Sequence, residues 1–134
     1  MNLIQWNEEM SVNNEEIDAQ HKKLIFILNN LQIAVAERQN REILSKIIEA
    51  LVDYTQYHFS TEEKYFHLLE PKLAEKHKKE HDNFVEKIKD FQEGYQNKRM
   101  LLSLDILEFL RDWLINHILG TDKKCAPLFG KKEE

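Results

Sequence analysis

The sequence predicts an all-α fold: an up-down-up-down four-helix bundle with an N-terminal arm. Three observations predict it. Four stretches repeat apolar residues at steps of three and four, the spacing that lines one face of a helix. The breaks between them are short, and short connections leave consecutive helices antiparallel. The 134 residues include 3 Gly and 2 Pro, far below ordinary usage, which favours long regular elements over turns.

The elements follow in chain order. Residues 1–17 show no clean period and are expected to pack on the bundle as an arm, with Trp6 as anchor. The first stripe reads Ile17, His21, Leu24, Leu28, Leu31, Val35. The second reads Ile47, Leu51, Tyr54, His58, Glu62, Tyr65, Leu69, and the third Leu73, His77, His81, Phe84, Ile88, Phe91, Tyr95. The fourth reads Leu102, Ile106, Phe109, Trp113, His117. Arg38-Gln39-Asn40-Arg41 is a polar break, and Glu70-Pro71 fits a helix start with proline in the first turn. A further break is expected over Gly94 to Arg99, and Gly120 suits the residue just past a helix end. The expected organisation is one domain over 1–134, with an arm (1–17), a bundle (18–122) and a tail (123–134).

Composition narrows the function classes. A chain of this length can bury roughly two thirds of its unfolded surface and needs no staples. One cysteine excludes an internal disulfide and fits a reducing compartment. No apolar run reaches the ~18 residues of a membrane span, and the start Met1-Asn2-Leu3-Ile4-Gln5-Trp6 lacks the pattern of a signal peptide. A cytoplasmic location is therefore expected. Net charge is −5, and the lysines at 76, 78 and 79 are interleaved with acids as on a solvated helix face. No basic stripe is present for a nucleic acid to follow.

The stripes carry residues that an apolar core would exclude. Of six histidines, His21, His58, His77, His81 and His117 fall on buried faces, whereas His67 is expected at the surface. A lone histidine on such a face is usually a hydrogen-bonded core residue. Five of them with a glutamate would cost several kcal/mol for each unsatisfied group. A metal removes that cost by accepting the lone pairs. His58 and Glu62 are four residues apart, as are His77 and His81, so each pair can converge on one ion. Asp122 follows His117 by five residues, and a helix end near Gly120 would turn it back toward the bundle axis. Seven such side chains exceed the needs of one first-row ion. If Glu62 and Asp122 each bridge two ions beside an oxide or hydroxide, two octahedral ions are left one bond short. An open position among imidazoles and carboxylates suits non-haem iron, whereas structural zinc would be closed and tetrahedral.

The chain resembles the hemerythrin family, and its bacterial single-domain members most of all. "SVNNEEIDAQHKKL" (11–24), "HFSTEE" (58–63), "HKKEH" (77–81) and "WLINHILGTD" (113–122) carry the resemblance. It implies two irons with an oxo or hydroxo bridge: His77, His81 and His117 on one, His21 and His58 on the other, and Glu62 and Asp122 bridging. It also implies reversible dioxygen binding, for storage, transport or buffering; a monomer that is not an enzyme is expected, and the sequence names no protein that receives the gas. Myohemerythrin is itself a reference example of the up-down-up-down bundle, so the predicted fold and the resemblance are not independent. Leu28, Trp113 and Leu114 could line the open position and keep it dry. Ser11 stands where the family usually has glycine, Glu70 where an aromatic is common, and Cys125 where tyrosine is common. Cys125 reads as a small buried hydrophobe or an oxidisable thiol.

Other readings compete. His77-Lys-Lys-Glu-His81 also matches H-x-x-E-H, a zinc-protease pattern with Glu80 as base, but that reading leaves His21, His58 and Glu62 unexplained. A ferritin-like oxidase requires Glu-x-x-His pairs, and no histidine here has a glutamate three residues before it. The same di-iron site could instead serve an oxygen or redox sensor acting through a partner protein, or an enzyme acting on peroxide or nitric oxide.

Overall fold

The computed structural model describes residues 3–97, 104–123 and 126–127. The fold is an all-α four-helix bundle, and no strand occurs among the described residues. Helices α1 (Glu15–Ala36), α2 (Arg41–Leu69), α3 (Pro71–Gln96) and α4 (Leu104–Asn116) follow a short 3₁₀ turn at Glu8–Met10. A π-helical turn, His117–Asp122, extends α4.

Local chemistry sets the helix ends. Asn14 caps α1 by accepting from the Ile17 N–H at 3.0 Å, and Glu15, Glu16 and Asp18 place negative charge at the positive end of the helix dipole. Asn40 caps α2 in the same way through the Ile43 N–H, 2.9 Å away. Between them Arg38 adopts φ 57, which reverses the chain after α1. Pro71 disfavours helical geometry at Glu70, which sits at φ −155, ψ 87. That single residue separates α2 from α3, and Pro71 opens α3, where its missing N–H costs nothing.

The buried stripes of α1 and α3 follow the predicted residues closely. Two other elements differ. On α2, Leu51, His58 and Glu62 are buried, but Ile47, Tyr54 and Tyr65 are only half-buried and Leu69 is exposed. The buried face is centred instead on Leu44, Ile48, Val52, Thr55, Phe59 and Phe66, so the predicted stripe traces one edge of the true face. On α4, Leu107, Leu110 and Leu114 face inward, whereas Phe109 is 40% exposed under the Lys87 ammonium and against Phe84. Leu102 lies outside the described residues. Gly94 is buried inside α3, so the break begins only after Gln96. Burial of each Leu, Ile or Phe of the core contributes roughly 1.5–3 kcal/mol.

The first helix starts at Glu15, ahead of the expected boundary, and the arm is held by more than Trp6. The Asn29 amide accepts from the Ile4 N–H at 3.0 Å and donates to the Ile4 carbonyl at 2.8 Å. Ile4, Met10 and Val12 are buried, whereas Trp6 is half-buried beneath the Lys22 ammonium. Small aliphatic groups enter between helices more readily than an indole, whose bulk keeps part of it in solvent. Ser11 donates through Oγ to Asp18 Oδ2 at 2.6 Å, and Lys123 Nζ donates to the Ser11 carbonyl at 2.8 Å. The arm is thereby tied to both α1 and the π-helical turn. No helix among the described residues is long and apolar enough to cross a membrane.

Candidate metal centre

The seven polar residues of the stripes meet in one buried layer near the arm. α1 supplies His21, α2 His58 and Glu62, α3 His77 and His81, and the π-helical turn His117 and Asp122. All seven are 3% exposed or less. On α2 and α3 the four-residue spacing does the local work. The last pair needs a different device. In an α-helix, residues five apart lie about 140° apart around the axis. The wider π turn, with its i→i+5 bonding, brings Asp122 beneath His117, with Nε2 to Oδ1 at 3.0 Å. The expected helix end at Gly120 is therefore absent. Gly120 lies within the π turn with no left-handed φ.

The two carboxylates straddle the histidines. Glu62 Oε2 lies 3.3 Å from both His21 Nε2 and His58 Nε2, while its Oε1 lies 3.1 Å from His81 Nε2 and 3.3 Å from His117 Nε2. Asp122 Oδ2 lies 3.0 Å from His21 Nε2, and its Oδ1 lies 3.0 Å from His117 Nε2 and 3.4 Å from His77 Nε2. Each acid thus presents one oxygen to the His21 side and the other to the His77–His81–His117 side. Two groups of donor atoms are compact enough to hold an ion: His21, His58, Glu62 and Asp122, and Glu62, His81, His117 and Asp122.

Outer partners fix the protons on three of the rings. The Leu73 carbonyl can only accept, so His77 donates through Nδ1 at 3.1 Å. Glu63 Oε2 accepts from His81 Nδ1 at 3.0 Å. For His58 the chain of bonds is longer. Thr61 gives its hydroxyl proton to the Tyr57 carbonyl and so accepts from Gln20 Nε2, which turns Gln20 Oε1 toward His58 Nδ1 at 2.8 Å. The Nε2 atoms of His58, His77 and His81 consequently direct lone pairs at carboxylate oxygens. His58 Nε2 faces Glu62 Oε2 at 3.3 Å, and both Asp122 oxygens face imidazole nitrogens at 3.0–3.4 Å. Lone pair against lone pair in a buried layer is repulsive unless cations lie between them. The residues present therefore fit metal ions, and the imidazole and carboxylate donor set suits non-haem iron.

Without metal, protons take the place of the missing charge. Burial works against the charged form of His21 and of His117, but hydrogen bonds and the charges of Asp122 and Glu62 prevail. They raise His21 to about 9 and His117 to about 10. Burial dominates at His58 and lowers its pKa. Burial likewise opposes ionisation of Glu62 and Asp122, yet the surrounding imidazoles hold Glu62 well below, and Asp122 below, the usual carboxylate range.

The match to known proteins follows this geometry. The family model for the hemerythrin HHE cation binding domain matches residues 12–129. The chain belongs to the hemerythrin family. A bacteriohemerythrin of Methylococcus capsulatus is 34% identical over 128 residues, covering 95% of this chain and 97% of its own. A bacteriohemerythrin of Stenotrophomonas maltophilia is 30% identical, covering 94% of this chain and 81% of its own. The crystal structure of a wild-type hemerythrin superposes with a TM-score of 0.89 at 32% identity, over 97% of this chain and 100% of that one.

One helical turn along the bundle from this hemerythrin donor layer lies an apolar one. It encloses a cavity of about 20 Å³ lined by Leu24, Leu28, Leu51, Thr55, Phe59, Phe84, Leu110, Trp113 and Leu114. Leu28, Trp113 and Leu114 are all among its lining residues. Phe59 stacks on His81 at 3.8 Å between centroids, and Trp113 on His117 at 4.6 Å. His67 is exposed, and Cys125 lies outside the described residues.

The sequence reading missed Gln20, Glu63 and the Leu73 carbonyl. Gln20 offered one weak signal, its place next to His21 and three residues after Ile17; its burial is known only from the fold. Glu63 offered none, since it resembles any other acid on a half-exposed helix face.

Proposed function

We propose that this protein binds dioxygen reversibly at a pair of iron ions, as a store, carrier or buffer of the gas. One observation carries the reading: two buried carboxylates each straddle two sets of imidazoles, and the outer partners of His58, His77 and His81 turn the Nε2 lone pairs of those rings toward the same carboxylate oxygens. His21 and His58 would hold one iron, and His77, His81 and His117 the other. Glu62 and Asp122 would bridge them beside an oxide or hydroxide. When bound, the ferrous pair supplies two electrons and one open position for dioxygen.

The chain's own residues do the rest. Leu73, Glu63 and Gln20 keep protons on the Nδ1 atoms of His77, His81 and His58, so that each Nε2 remains a donor. Stacking by Phe59 and Trp113 restrains the planes of His81 and His117. The apolar layer of Leu24, Leu28, Leu114 and Trp113 excludes water and withholds protons, which favours release of the gas over irreversible oxidation. A cavity of about 20 Å³ suits a diatomic gas and is too small for an organic substrate beside it, which supports a carrier rather than an oxidase. We read the whole chain, 1–134, as one hemerythrin-like domain acting as a cytoplasmic monomer, with the segment ahead of Glu15 as its arm and 123–134 as its tail.

The test is metal analysis of the purified protein, with visible spectra recorded anaerobically after reduction and again in air. Two irons per chain and an absorption band that appears in air and fades when the gas is removed are expected. A single zinc, or sustained turnover of peroxide or nitric oxide, would overturn the proposal.

A further inference from the structure

The imidazoles do not share one kind of outer partner. His58 Nδ1 faces the neutral oxygen of Gln20, and His77 Nδ1 a main-chain carbonyl. His81 Nδ1 instead faces a carboxylate, Glu63 Oε2, at 3.0 Å. Glu63 stands in a surface groove of about 250 Å³ between α2 and α3, with its side chain 28% exposed. Lys78, a cation of that groove, bonds Asp82 at 3.2 Å. Water can therefore solvate Glu63 on its outer side while its inner oxygen meets a ring that is 1% exposed. A charged acceptor at Nδ1 draws that proton outward and raises the electron density at Nε2, making the imidazole a stronger donor. Donation of this kind favours the higher oxidation state of whatever the ring binds.

We propose that Glu63 is a positioning residue that tunes the His77–His81–His117 side of the centre through His81, over and above the unequal number of imidazoles on the two sides. It locks His81 in the Nδ1–H tautomer, and its charge biases the ion at the His77–His81–His117 side toward the ferric state. The His21–His58 side, whose one fixed outer partner is the neutral Gln20, has no such bias. This inference rests on the di-iron reading above, and its test separates the two.

Cobalt(II) is titrated into metal-free wild type and Glu63→Gln, and one-electron midpoint potentials are measured on the iron-loaded forms. Glutamine keeps the volume and an acceptor oxygen but removes the charge. The expected result is a roughly 10–100-fold loss of cobalt affinity and a higher midpoint potential. Each tenfold loss of preference for ferric over ferrous iron corresponds to about 59 mV. Gln20→Glu places a charged acceptor on His58 and should shift the potential downward. Glu75→Gln, an exposed acid on α3, should change neither quantity. A Glu63→Gln protein that binds metal more weakly at an unchanged potential would reduce Glu63 to packing and overturn its tuning role. Wild-type values for both would overturn the whole proposal and leave the di-iron reading intact. A wild type that takes up neither cobalt nor iron would overturn both.

Discussion

Loading metal into the apoprotein should expel protons in a number set by two histidines. The perturbation is a change of pH during titration of metal-free protein with cobalt(II). In the metal-free layer, Glu62 and Asp122 remain ionised because imidazoles surround them. Their charge is balanced by His21, held at about 9, and His117, held at about 10. Holding an imidazole at about 9 rather than 6.5 corresponds to roughly 3 kcal/mol of preference for the charged form. A metal needs the bare Nε2 lone pair, so binding displaces both protons. The release attributable to these rings is about two protons per chain at pH 7, about one between the two pKa values, and close to none at pH 11. Any water that the ions hold would add its own protons, and the decline expected from His21 and His117 is superposed on that count. Calorimetry in buffers of different ionisation enthalpy counts the protons directly. A release that stays constant from pH 7 to 11 would refute the reasoning, because the carboxylate charge would then be balanced without these imidazoles.

The same linkage acts on metal-free stability. A histidine raised above 6.5 stabilises the fold fully below that value and loses the contribution as pH rises through 9 and 10, so the melting temperature of the apoprotein should fall over that range. Leu28→Ala enlarges the apolar cavity and should cost about 3–5 kcal/mol in denaturant melts. It should also hasten oxidation of the iron-loaded protein in air, and an unchanged oxidation rate would count against a water-excluding role. Asn29→Ala removes both hydrogen bonds to Ile4 and should cost roughly 1–3 kcal/mol. Faster hydrogen exchange at residues 4–12 would report the loosened arm. Gly120→Ala should be tolerated with full metal loading and about 0.4–1 kcal/mol of added stability, since among the described residues no atom beyond its own helix backbone and chain neighbours lies within 4 Å of the added methyl. Loss of metal there would mean that the π turn requires glycine.

The sequence by itself determined the helices and the strangeness of their interior. Steps of three and four place apolar groups on one face, and a histidine on such a stripe stands out because burial makes it costly. His21, His58, Glu62, His77, His81 and His117 were therefore visible before any coordinates. Pro71 and the Asn14 and Asn40 caps are local devices, decided by a residue and its next few neighbours. Tertiary structure decided what depends on residues far apart in the chain. The buried face of α2 is centred beside the predicted stripe because its partners on α1 and α3 choose which of two adjacent apolar rows faces inward. Asp122 reaches the layer through a π turn rather than a helix end, a change of pitch that apolar spacing does not encode. Gln20 meets His58 across 38 residues and Glu63 meets His81 across 18. Hydrogen bonds between helices leave no period in the sequence, so a residue that positions a donor looks like its solvated neighbours until the chain has folded.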